Sequence, residues 1–77
     1  MPHVIVKMYS GRSEKEKATL ANEMTKVIKT VLNYGDDAVS VGIEDVEPKD
    51  WAEKVYRPDI LDKAETIYKK PGYNPFR

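Results

Sequence analysis

The chain has 77 residues, enough for one domain but short of buried surface if it stands alone. It has no cysteine and one histidine, which excludes disulfide staples and argues against a zinc or iron site. Thirteen Lys plus Arg balance 13 Asp plus Glu, which argues against a general nucleic-acid or anionic-membrane surface.

No apolar run approaches a membrane span, and the first residues lack the apolar core of a signal peptide. A soluble, cytoplasmic protein is therefore expected, with oligomerisation as the remaining route to a sufficient core.

From Pro2 to Tyr9 the sequence alternates with period two. Val4, Val6 and Met8 point one way, and His3, Ile5, Lys7 and Tyr9 the other, which predicts a strand. Ser10-Gly11-Arg12-Ser13 carries turn chemistry, and Ser13 with Glu16 three residues later is a capping-box signature. A helix is expected from Glu14 to about Leu32, with Leu20, Ala21, Met24, Val27, Ile28 and Val31 on one stripe. Gly35 is the expected left-handed residue after it.

Period two returns from Ala38 to Val46: Val39, Val41 and Ile43 share one face, and Ser40, Gly42 and Glu44 the other. Strand, helix and strand make a βαβ unit with parallel pairing. Two strands cannot cover such a helix or satisfy their own edges, so the unit needs a partner.

Pro48 is placed to open a short turn holding Trp51. Pro58 fits the first turn of a further helix through Ile60, Leu61, Ala64, Ile67 and Tyr68, closed by Lys69-Lys70 and Pro71-Gly72. Residues 72–77 carry aromatic side chains without a period, as a frayed end or as an arm on a partner.

The position with distinctive chemistry is Pro2. If Met1 is removed, Pro2 carries a free secondary amine whose direction the ring restricts. An α-amine ordinarily titrates at about 7.7–8.0, so modest desolvation leaves it neutral and usable as a general base at pH 7. The structural alternative is that Pro2 merely starts an edge strand, where a missing N–H costs nothing.

Met-Pro, a strand, Gly11-Arg12-Ser13, an amphipathic helix and a second strand together resemble the 4-oxalocrotonate tautomerase family. The resemblance covers Pro2 to about Trp51. The tail, with Trp51 and Lys69-Lys70-Pro71-Gly72-Tyr73, is similar to the dimeric bacterial phenylpyruvate-type branch. The resemblance implies an α/β (α+β) fold in which two protomers form a four-stranded sheet with the helices on one face and short extra helices in the tail. Residues 1–77 would form one domain, a βαβ unit over 2–46 and a helical tail over 47–77.

It further implies a cofactor-independent isomerase that interconverts keto and enol forms of a 2-oxo acid, with no metal. Pro2 would be the catalytic base, Arg12 the holder of a substrate carboxylate or carbonyl oxygen, and Trp51 the apolar wall beside the amine. The family's second-strand arginine is replaced by Ser40, a substrate-binding position that can donate a hydrogen bond but supplies no charge. A monoacid or aryl 2-oxo acid therefore fits better than a diacid. Arg57 either supplies the missing cation or is a solvated surface arginine, and His3 and Lys7 are interface or solvent residues. The alternatives are a related hydratase or dehalogenase acting on unsaturated acids, and a non-catalytic oligomeric binding protein. A homodimer is favoured over a hexamer, with each pocket built partly from the partner's tail.

Overall fold

Alternation produces strand β1, His3–Tyr9, in which Val4, Val6 and Met8 are half-buried while His3, Ile5 and Tyr9 are exposed. The computed structural model describes residues 1–77. The chain falls into two units, Met1–Asp45 and Val46–Arg77.

In the first unit the turn after β1 passes through Gly11 at φ +119°, a region that L side chains enter only with strain. Helix α1, Glu14–Leu32, begins on the expected capping box. Ser13 Oγ accepts from the Glu16 N–H at 3.1 Å, and the Ser13 N–H donates to Glu16 Oε1 at 3.0 Å. These bonds satisfy donors that helix ends otherwise leave unpaired. At the other end the left-handed residue is Asn33, at φ 59°, and not Gly35. Asparagine tolerates that conformation, so the helix stops two residues earlier than a glycine cap implies.

A 3-10 turn at Asp36–Ala38 leads into strand β2, Ser40–Val46, so the expected strand loses its first two residues. The Ser40 N–H donates to the Pro2 carbonyl at 3.2 Å, placing the first residues of β1 and β2 side by side. Near the other end of β2, Asp45 accepts from Lys17 Nζ of α1 at 2.6 Å. The two strands are therefore parallel, as the βαβ order requires, and form a two-stranded sheet.

The apolar stripe of α1 is only partly covered. Leu20, Ala21, Met24 and Ile28 are half-buried, but Val27 is 50% and Val31 72% exposed, and no residue of the helix is fully buried.

The second unit opens with a 3-10 turn at Pro48–Asp50 and continues through Trp51 into a π-helical segment, Ala52–Leu61, that contains Pro58. Pro58 is thus inside a helix and not at the first turn of a new one. A proline in an α-helix clashes with the carbonyl four residues back. Here the winding is wider, as the bond from the Asp62 N–H to the Arg57 carbonyl at 2.9 Å marks.

The helix expected through Tyr68 is also absent. Lys63 leaves the helical region, a single 3-10 turn follows at Ala64–Thr66, and Tyr68 is fully exposed. Val55 and Tyr56 are the two buried hydrophobic residues of the chain. Residues 73–76 are not a frayed end but fold onto their own chain. The Tyr73 and Phe76 rings pack on Tyr56 at centroid distances of 5.4 and 5.9 Å.

Candidate active site

Pro2 stands immediately before β1, half-buried, its carbonyl held by the Ser40 N–H. The same serine uses its side chain on the exposed sheet face, where Ser40 Oγ shares a 2.6 Å hydrogen bond with His3 Nδ1. Gly42 lies on this face too, since a Cβ there would meet His3 Cε1 at 4.0 Å. The strand alternation thus brings Pro2, His3 and Ser40 to one end of the sheet. His3, expected to be an interface or solvent residue, is tied to a candidate substrate-binding residue. That pairing depends on parallel register and had no local signal.

Arg12 occupies the turn between Gly11 and the Ser13 N-cap. Its side chain is 63% exposed, and its one ion pair, with Glu16, is long at 3.5 Å. Such an exposed pair holds little energy. Glu16 is committed elsewhere: the Ser13 N–H, then the Ser13 hydroxyl, hold its carboxyl below the usual glutamate range.

All seven residues of β1 lie between Pro2 and Arg12, and an extended strand of that length spans about 23 Å. Within one chain the amine and the guanidinium are therefore at opposite ends of the strand. The structure brings Pro2 and Ser40 together, and it does not bring Arg12 to them.

In the second unit Trp51 is half-buried, and its indole N–H donates to the Tyr73 hydroxyl at 2.9 Å. Arg57 is neither bare nor merely solvated. Its Nε and Nη2 donate to the two carboxylate oxygens of Glu53 at 2.9 and 3.2 Å, and its guanidinium lies 4.6 Å from the Phe76 ring centroid. Its hydrogen bonds to the Glu53 carboxylate hold the Arg57 pKa above its ordinary value and the Glu53 pKa below. The Glu53–Arg57 pair was readable as an i, i+4 spacing. Tyr73 and Phe76 were not, since 22 residues separate Trp51 from Tyr73.

The first unit thus offers a hydroxyl–imidazole pair beside Pro2 and an exposed guanidinium at Arg12, and the second unit a guanidinium at Arg57; side chains of these kinds donate hydrogen bonds to anions. No group of His, Cys, Asp and Glu side chains in the chain is arranged to hold a metal ion.

The family model described as "Tautomerase enzyme" matches residues 2–56, starting on the proline. The chain belongs to the tautomerase family.

A probable tautomerase of Xylella fastidiosa (strain 9a5c) is 45% identical over 73 residues, covering 95% of this chain and 89% of that protein. Tautomerase PptA of Pectobacterium carotovorum subsp. carotovorum (strain PC1) is 37% identical over 75 residues, covering 96% of this chain and 99% of its own length. Among solved structures, TomN, a 4-oxalocrotonate tautomerase homologue in the tomaymycin biosynthetic pathway, superposes with a TM-score of 0.63 at 32% identity. The overlap covers 65% of this chain and 77% of TomN. Family membership supports an isomerase in the broad sense of tautomer interconversion, and the β-α-β fold is that of these neighbours. No helix is long and apolar enough to cross a membrane.

Proposed function

We propose that this family member interconverts the keto and enol forms of a monoacidic or aryl 2-oxo acid, with the Pro2 amine as general base once Met1 is removed. The observation that carries the reading is Pro2 itself. The family match begins on it, and its carbonyl is held at the sheet end by the Ser40 N–H.

The neutral amine takes a proton from the enol and returns it at carbon, an exchange that needs no cofactor. Arg12 holds the carboxylate or the developing enolate oxygen with a planar fork of donors. Ser40, oriented by His3, adds a hydrogen bond without charge, which suits a monoacid better than a diacid. Trp51 forms an apolar wall that keeps the amine desolvated, and Arg57 adds a second cation.

Because β1 separates Pro2 from Arg12, a site using both draws them from different copies of the chain. Assembly into a homodimer is the smallest arrangement that supplies the second copy. The βαβ unit and the tail act as one domain. The match over residues 2–56 passes through the boundary at Asp45 and Val46 and supports this.

The test uses protein whose intact mass verifies Met1 removal, assayed for ketonisation of phenylenolpyruvate. Pro2→Ala is expected to lower kcat by about 10²–10⁴-fold, the contribution of a positioned base. Full activity in the variant, or equal activity in a chain that retains Met1, overturns the reading.

A further inference from the structure

Trp51 and Arg57 are the two candidate substrate-facing residues of the second unit, and one short segment holds both. Tyr73 accepts the Trp51 indole N–H at 2.9 Å, a contact that favours one orientation of the ring plane. Three residues later Phe76 lies under the Arg57 guanidinium, 4.6 Å to the ring centroid, while Glu53 grips its edge with two bonds.

The segment is anchored in turn. Buried Tyr56 donates its hydroxyl to the Tyr73 carbonyl at 3.1 Å, and Asn74 Oδ1 accepts the Phe76 N–H at 2.9 Å, bending the chain so that Phe76 faces Arg57. The Tyr73 ring thus packs on Tyr56 while its hydroxyl accepts from the Trp51 indole.

We propose that the C-terminal arm, Tyr73–Phe76, is the specificity element of the site. Tyr73 positions the Trp51 wall, which sets the preference for an aryl group over a second carboxylate, and Phe76 positions the Arg57 cation, which strengthens binding of the one carboxylate that monoacids and diacids share. This rests on the tautomerase reading above and assigns the arm a role within it. Both are positioning residues. A wall held at one angle matches a flat aryl group, and Arg57 has five N–H donors of which Glu53 engages two. The remaining donors are kept in one plane for a carboxylate.

Trp51 is the only tryptophan, so its emission reports directly on the arm. In the Met1-free protein, Tyr73→Phe is expected to shift that emission, to lower the melting temperature by a few degrees at most, as the loss of one bond implies, and to change kcat far less than KM. It is expected to raise KM for phenylenolpyruvate about two- to tenfold, the worth of one neutral hydrogen bond, with a smaller change for 2-hydroxymuconate, a diacid. Phe76→Leu, which keeps apolar packing on Tyr56, is expected to raise KM for both substrates about two- to fivefold by removing the ring face.

Unchanged KM in Tyr73→Phe, or an equal fall of kcat on both substrates, overturns the proposal. If the wild-type protein turns over neither substrate, the functional reading fails instead. Quenching of Trp51 by cinnamate then decides the arm's role alone: weaker binding in Tyr73→Phe supports it, and equal binding overturns it.

Discussion

At the scale of single residues, charge and its partners decide what each arginine can do. Arg12 is exposed and only weakly tied to Glu16, so its fork is available to an anion. Arg12→Ala removes a charge-assisted hydrogen bond, worth about 1.5–3 kcal/mol, and kcat/KM for 2-oxo acids is expected to fall about ten- to hundredfold. Steady-state kinetics check this, and a change of less than about twofold would make Arg12 a loop arginine only.

Arg57 differs because Glu53 already offsets its charge. Glu53→Gln keeps a hydrogen-bonding side chain and removes that offset. An exposed ion pair is worth about 0.2–1 kcal/mol, so KM for an anionic substrate is expected to fall by up to about fivefold. An unchanged KM assigns Arg57 to the structure of its own unit.

At the scale of elements, α1 is fully closed at its first turn but only half-covered along its apolar stripe. Ser13 and Glu16 close a reciprocal cap, and Lys17 reaches Asp45 on β2. Ser13→Ala is expected to cost about 1 kcal/mol, read as a lower melting temperature.

The same turn gives a pH signature. The folded pKa of Glu16 is depressed, so its contribution is present above the ordinary glutamate value and is lost as pH falls through the depressed one. Lys17 has the opposite sense. The Asp45 hydrogen bond raises it, so its contribution is present below the ordinary lysine value and is lost only as pH rises through the raised one. Melting temperature is expected to be flat near neutrality and to fall below about pH 4.5, and Glu16→Gln is expected to flatten the acid limb. An unaltered acid limb in that variant removes Glu16 from the account. In the second unit Pro58 sits inside the π-wound segment, where the ring clash with the carbonyl four residues back that α winding imposes does not arise in the same form.

At the scale of the whole molecule, the exposed Val27, Val31 and Leu32 on α1, the open edges of a two-stranded sheet and the separation of Pro2 from Arg12 have one common remedy, a second copy. Sedimentation at micromolar concentration is expected to give a dimer. A stable monomer overturns the packing argument, and a hexamer overturns only the preference for a dimer, since it also supplies the second copy. Co-refolding impaired Pro2→Ala with impaired Arg12→Ala chains is expected to raise activity to about a quarter of wild type, above either variant alone, from the one intact site of each mixed dimer. No recovery would mean that both groups come from the same chain.

The order of elements, the bounds of α1, its capping box and the two faces of β1 were legible in the sequence. Each is set by residues within a turn or two of one another, where periodicity and cap chemistry act. The candidate residues Pro2, Arg12, Ser40, Trp51 and Arg57 could be named for the same reason, by residue type and offset. Only the tertiary structure decided that Pro2 and Arg12 lie at opposite ends of β1, that His3 is bound to Ser40, and that Arg57 is stacked on Phe76. It also replaced the helix through Tyr68 by a π-helical segment and a folded-back arm. These features rest on contacts such as His3 to Ser40, 37 residues apart, and Trp51 to Tyr73, 22 apart. Side chains so distant in sequence are brought together by strand register and ring packing, and no local pattern encodes which of them meet.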